Sequence, residues 1–348
     1  MPHPKVTNTS KLAFELLFLT NEEGVAVCVP LVQATYALTP GAPLDLLTKQ
    51  PAVNIAGAWW GDPAAHSMKL EPQIAFMKPS TDIVLLGHAY PNNKERTEGL
   101  VGIRVGNTQK VARIFGNRHI VKHMGFMRAT PPEPFDSIPL TYEHAYGGWD
   151  RRDADPNKHS FEARNPAGVG FWDSKQTGDA EVIMPNIEDP NQLYQSTSDR
   201  PPPTGFGFIS PDWQPRSAFA GTYDKAWSDA RKPLLPKDFD RRFFNSASPG
   251  LIAPNYLLGN EAVTVVGATE SGRVDFTLPG IPVPTCRLHL KNGAPTILQT
   301  VLDTLLVDME HRTVTLTWRA HLAVRRGAHD VVAVELPPLP PEQFDEGE

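Results

Sequence analysis

Apolar residues along this chain recur mostly every second position, in short runs. In the N-terminal part, Phe14–Leu19, Val25–Leu38, Ile83–Tyr90, Leu100–Val105 and Val111–Phe115 all read as strands. Val101, Ile103 and Val105 alternate with Leu100, Gly102 and Arg104, the spacing of a half-buried strand. The Gly106–Gln109 break, with Gly and Asn that tolerate positive φ, predicts a hairpin turn. The C-terminal part shows the period more clearly. Val274, Phe276 and Leu278 alternate with Asp275 and Thr277; Cys286, Leu288 and Leu290 with Arg287 and His289; Val314, Leu316 and Trp318 with Thr315 and Thr317. A longer strand, Ile297–Val307, is expected between these, and Val331–Leu336 follows. Strands at intervals of about ten residues with turn signals between them suggest an antiparallel sheet or sandwich.

The middle lacks this alternation. It holds Pro131-Pro132, Asn165-Pro166, Pro201-Pro202-Pro203, Pro233 and Pro236, with Trp149, Trp172, Trp213 and Trp227. Its aromatic content argues against disorder, so long ordered loops with a few short helices are expected. One helix is expected over Tyr223–Arg231, with Asp224 at its start, Arg231-Lys232 at its end and Pro233 as its stop. The expected fold is mainly β: an antiparallel β-sandwich-like core with long Pro/Gly/Trp-rich ordered loops. Residues 1–125 form an N-terminal β segment, 126–259 the loop-rich segment and 260–336 a C-terminal antiparallel β segment. These make one composite domain or two packed β modules. Residues 337–348 read as a flexible acidic tail.

Composition narrows this picture. With 35 Pro and 26 Gly in 348 residues, against roughly 12% in average usage, a bundle of long helices is excluded. A net charge of −6 argues against a nucleic-acid partner. Cys28 and Cys286, the two cysteines, sit on separate apolar runs and read as buried free thiols. No leader pattern opens the chain, and no apolar run reaches the roughly 20 residues that span a bilayer. No membrane contact is expected, and the chain reads as soluble and cytoplasmic.

Candidate chemistry is sparse. Gly168-Val-Gly170 and Gly205-Phe-Gly207 lack the third glycine and the strand–helix context of a dinucleotide site. No Ser lies in a Gly-x-Ser-x-Gly elbow. His119 and His123 are four apart, but a helix there is doubtful. Glu143-His144 reads as part of a hydrogen-bonded turn, and Asp238 with Asp240 as partners of Arg241 and Arg242. No catalytic residue, metal site or cofactor is expected. The densest constellation runs from Trp213 to Asn245, where aromatic, Arg, Asp and Pro residues crowd together. Aromatic and Arg residues are the types enriched at interface hot spots, and they equally pin loops to a core.

These residues carry a resemblance. Trp213-Gln-Pro-Arg216, Ala220-Gly-Thr-Tyr-Asp224, Trp227, Arg231, Pro233–Pro236, Asp238-Phe-Asp240 and Phe243–Ala247 strongly resemble a bacterial domain-of-unknown-function family associated with type VI secretion. Thr141–Gly148, Pro185–Glu188, Leu302-Asp303-Thr304 and Trp318-Arg319-Ala320 extend the match over nearly the whole chain. Members are regarded as adaptors or chaperones that load an effector onto the secretion spike, and some carry pentapeptide repeats. This chain resembles the stand-alone form. The resemblance implies an effector protein or a PAAR-like or VgrG-like spike-tip protein as partner. The candidate partner-binding residues are Trp213, Arg216, Tyr223, Asp224, Trp227, Asp240 and Arg241. Two alternatives are a carboxylate-based hydrolase built on Asp238 and Asp240 or on Glu143 and His144, and a structural component of the spike itself.

Overall fold

The computed structural model describes residues 4–124, 126–176 and 181–339. The chain is mainly β. Its principal strands are β1 (Lys5–Asn8), β2 (Ala13–Thr20), β3 (Ala26–Ala37), β4 (Asp82–Leu86), β5 (Glu98–Val105), β6 (Thr108–Phe115), β7 (His119–His123), β8 (Phe126–Ala129) and β9 (Val182–Ile183). After the short helix α1 (Lys225–Ala230) come β10 (Ala262–Val266), β11 (Arg273–Thr277), β12 (Thr285–Leu290), β13 (Thr296–Gln299), β14 (Val301–Asp308), β15 (Thr313–Arg319) and β16 (Val331–Leu336).

Three larger sheets share these strands. The first runs β2-β3-β15-β14-β4 and is antiparallel except for the parallel pair β14–β4. The second runs β6-β5-β10-β11, with Ile187–Glu188 added at the β6 edge, all antiparallel. The third runs β1-β16-β12-β13, with β1 and β16 parallel. A smaller sheet, β8-β7-β9, stands apart from them. The N- and C-terminal β segments are therefore interleaved within each of the three larger sheets. The C-terminal strands are divided among the sheets: β10 and β11 go to the second, β14 and β15 to the first, and β12, β13 and β16 to the third.

Most alternating runs become strands where expected, and the Gly106-Asn107 turn closes the β5–β6 hairpin. Two expected strands divide. Ile83–Tyr90 breaks at Gly87, whose φ of +144° favours glycine and whose added Cβ would lie 3.0 Å from Met309 Cβ. Ile297–Val307 breaks at buried Thr300, whose hydroxyl donates to the Pro284 carbonyl at 2.7 Å. There the chain passes from the third sheet to the first.

One buried apolar cluster joins all three sheets, with Val32, Leu85, Ile103, Val265, Leu288, Leu316 and Val334 among its members. Cys28 and Cys286 belong to it as free thiols, and burial pushes both up to about 12, so neither is a thiolate at neutral pH. The described residues of the loop-rich segment form β8, two-residue strands, 3-10 turns and α1. No helix among the described residues is long and apolar enough to cross a membrane. Of the expected acidic tail, residues 340–348 lie outside the described residues, and Leu339 packs against the main cluster.

Candidate functional site

The segment 213–245 forms an arm whose two ends are rooted in buried polar contacts. At the first end, Arg216 donates twice to Glu71, from Nη1 to Oε2 at 3.0 Å and from Nη2 to Oε1 at 2.6 Å. It also donates to the carbonyls of Ile209 and Phe243, each at 2.8 Å. Trp213 is buried edge-on against Tyr142, ring centroids 5.7 Å apart. At the other end, Asn245 donates to the Ser80 carbonyl and to Asp82 Oδ1, both at 2.9 Å, and Ser246 N–H donates to Asp82 Oδ2 at 2.9 Å. Asp82 pairs in turn with Lys78 at 2.8 Å, which also donates to Thr304 Oγ1 at 3.0 Å. Thr304 donates to Asp303 Oδ1 at 2.9 Å, and Asp303 is paired with Arg319. Arg319 reaches Gln73 Oε1 at 2.9 Å. A buried polar network thus ties 71–82, 303–304, 319 and 245–246 together. Removing one partner of such a pair leaves an uncompensated buried charge.

Between these roots the arm is shaped by local hydrogen bonds. Gly221 has φ +82°, and a Cβ there would lie 2.8 Å from Pro236 Cβ and 3.0 Å from Asp238 Oδ1. Glycine is the residue that both the turn and the close approach admit. Thr222 donates to Asp238 through its N–H at 3.0 Å and its hydroxyl at 2.7 Å, and these bonds hold the Asp238 carboxyl below its ordinary range. Asp224 caps α1 by accepting the Trp227 N–H at 2.8 Å. The Trp227 indole donates to the Leu234 carbonyl at 2.8 Å, closing the turn after the helix. Tyr223 stands edge-on to Trp227 at 4.7 Å between centroids and remains 52% exposed. Asp240 caps the turn Arg241–Phe244 and accepts from Arg242, which holds its carboxyl low. Arg241 donates to Glu22 Oε1 at 2.6 Å, and Arg231 to the Glu22 carbonyl at 2.6 Å, so the arm lies over the β2–β3 turn. Phe239, Phe243 and Phe244 continue inward to buried Phe76, with centroid distances of 5.7, 6.0 and 4.8 Å along the series.

The seven candidate residues therefore separate. Trp213 and Arg216 are buried at the root, where they fix the arm. Tyr223, Asp224, Trp227, Asp240 and Arg241 lie along the arm itself, with the Asp224 carboxylate and the Trp227 indole N–H used within it. Glu143 accepts from Ser67 N–H at 2.6 Å and Oγ at 2.7 Å, while His144 Nδ1 is 3.0 Å from Asn186 Oδ1. These two groups face different partners, and Asp238 and Asp240 serve different turns.

Beside the root lies a pocket of about 530 Å³ walled by Pro202, Pro203, Pro215 and Pro249, with Lys110 and Asp189 among its polar lining. Lys110 Nζ donates to Ser248 Oγ at 2.6 Å and to the Pro249 carbonyl at 2.8 Å. Burial of the amine pushes it down to about 7, against the opposing pull of Asp189. Sequence reasoning missed this lysine and the network residues Glu71, Lys78 and Asp82; Asp303 and Arg319 stood in motifs of the resemblance but were given no role. For the network the available signal was charge set at or within apolar runs, as with Asp82 before Ile83–Leu86 and Arg319 after Trp318.

No curated protein and no solved structure matches the chain. A family model matches residues 23–319, a span that contains the whole arm, its root and the buried network. The chain belongs to the family described as an uncharacterized protein conserved in bacteria, DUF2169.

Proposed function

We propose that this protein is an adaptor or chaperone of type VI secretion, which binds an effector or its spike-tip domain and helps to load it onto the spike. The observation that carries this reading is the division of labour in the arm. Its carboxylates and arginines are engaged with one another or with the scaffold, while Tyr223 is displayed on a capped, hydrogen-bonded support. An aromatic side chain held at low entropic cost is a binding anchor. Of the hydrolase alternative, Asp238 and Asp240 are spent on separate turns, and Glu143 and His144 face different partners. The densest of the motifs quoted for the resemblance, from Trp213 to Ala247, falls on the arm and its root, which supports a role for this region in what the family does.

The test is co-purification. The tagged full chain, co-expressed with a candidate effector and a candidate spike-tip protein chosen from its neighbouring genes, is expected to retain one of them at fixed stoichiometry. Recovery of neither, with both folded and abundant, overturns the reading. Tyr223→Ala is expected to weaken retention about tenfold, in the range of a single aromatic hot spot. Its melting temperature should stay within a degree or two of the wild type, since Tyr223 is half exposed.

A further inference from the structure

The small sheet β8-β7-β9 ends in an edge that the described residues leave open. All four residues of β8 are exposed, Phe126 to 70%, and β7 is its only partner strand among the described residues. The phase of the ladder follows from one bond: Thr130 N–H donates to the His119 carbonyl at 2.8 Å. With Val121 opposite Arg128 and Lys122 opposite Met127, inward bonding alternates. The backbone groups of Phe126 and Arg128 face β7, and those of Met127 and Ala129 face outward. One face of the sheet is anchored, since Ile120 and Val182 pack with Tyr146, Met184 and Tyr194. Phe126 and Arg128 project from the other face, where Ile183 is 55% exposed.

This apolar surface continues. Ile183 and Trp149 line one cleft of about 350 Å³, and Trp149 is stacked on Phe161 at 4.5 Å with Arg151 over its ring. Arg128 is the one charged residue of β8, and it is exposed. The nearby Glu181 is paired with His119 at 2.9 Å. Exposed edge strands are normally blunted. The β11 edge, for instance, bears the Arg273–Asp275 ion pair. The β8 edge instead combines large exposed apolar side chains, outward backbone groups and the exposed guanidinium of Arg128.

We propose that β8 is a docking edge, on which an extended acidic–apolar segment of the client adds as a further strand. Main-chain bonds to Met127 and Ala129 supply the affinity. Alternate apolar side chains rest on Phe126 and Ile183, and carboxylates meet Arg128. The inference rests on the adaptor reading for the identity of the client and on the edge geometry for the mode of binding.

Met127→Pro removes an outward donor and no ladder bond, a place where proline is tolerated. Full-length wild type and this variant, with matching melting curves, are compared for retention of the co-expressed effector or spike-tip protein. At least tenfold weaker retention by the variant is expected. Equal retention overturns the docking edge and leaves the adaptor reading standing. If the wild type retains neither protein, the adaptor reading falls and a peptide probe decides the edge. The probe is a capped octapeptide of alternating valine and aspartate, with its valine–lysine counterpart as control. Slowed hydrogen exchange at the Met127 and Ala129 amides with the acidic peptide supports the proposal, and no protection overturns it. Arg128→Glu, which leaves the backbone intact, should reverse the preference between the two peptides by at least tenfold; an unchanged preference overturns the charge matching.

Discussion

Arg216 joins two stretches far apart in sequence, and its bond set leaves little doubt about what its loss would do. Glu71 and Arg216 are both nearly sealed from water, with side chains 8% and 6% exposed. Arg216→Met therefore strands a buried carboxylate, at a cost of about 3–5 kcal/mol. The double substitution Glu71→Met with Arg216→Met removes both charges and should recover more than half of that loss. Urea denaturation of the four proteins measures the cycle; a single substitution costing under about 1 kcal/mol would contradict the buried pair. Lys110 makes a different prediction. Its folded-state value, about 7, lies below its ordinary 10.5, so the unfolded chain binds more protons between these values. Stability then rises with pH across that window and is lost again as pH falls toward 7. Lys110→Met should lack this rise. The comparison is of slopes, urea midpoint against pH from 7 to 10.5, and equal slopes would refute the burial of the amine.

At the scale of elements, the arm is a turn that happens to contain a helix. α1 has six residues, too short to persist without its cap and its indole-to-carbonyl bond. Asp224→Ala removes the cap and should cost about 1 kcal/mol, and Gly221→Ala forces a positive φ and a clash with Pro236 at a cost of about 1–2 kcal/mol. Both losses are local, so limited proteolysis within 213–245 should accelerate while the main urea transition hardly moves. An unchanged cleavage rate would show that the arm is held elsewhere. This helix was legible in the sequence because its cap, its charges and Pro233 are neighbours in the chain. So were most strands, since alternation is a local signal. The breaks at Gly87 and Thr300 were not, because a run such as Ile297–Val307 keeps its period while changing sheets. Among the candidate residues, aromatic and Arg content singled out the arm as a dense region. It could not separate Trp213 and Arg216 at the root from Tyr223 at the surface, because that distinction depends on Tyr142 and Glu71, which are remote in sequence.

For the whole molecule, pairing between the chain's two ends is the central fact. Alternation tells which face of a strand is buried and says nothing about its neighbour, so the mixing of N- and C-terminal strands was beyond sequence reasoning. Its consequences for folding are definite. β3 has β15 along one side, β4 has β14, β5 has β10, and β1 has β16. A fragment ending at residue 259 would lose all four partners at once. It would expose apolar faces of β3, β4 and β5 that now contribute to one cluster shared by the three larger sheets. Such a fragment has open edges and half a core, and is expected to aggregate or stay unfolded, with no near-ultraviolet dichroism. The intact chain should unfold in one urea transition, with tryptophan fluorescence and far-ultraviolet dichroism coincident, because Arg319 beside Trp318 in β15 and Arg216 near Trp213 at the arm's root both bond to the buried 71–73 stretch. The network makes this a sharp test. Asp303→Asn weakens the link from Arg319 through Thr304 and Lys78 to Asp82, and so loosens the arm root from the first sheet. If the arm is anchored through this network, the two probes should separate in that variant and coincide in the wild type. Coincidence in both would place the coupling in the apolar cluster alone.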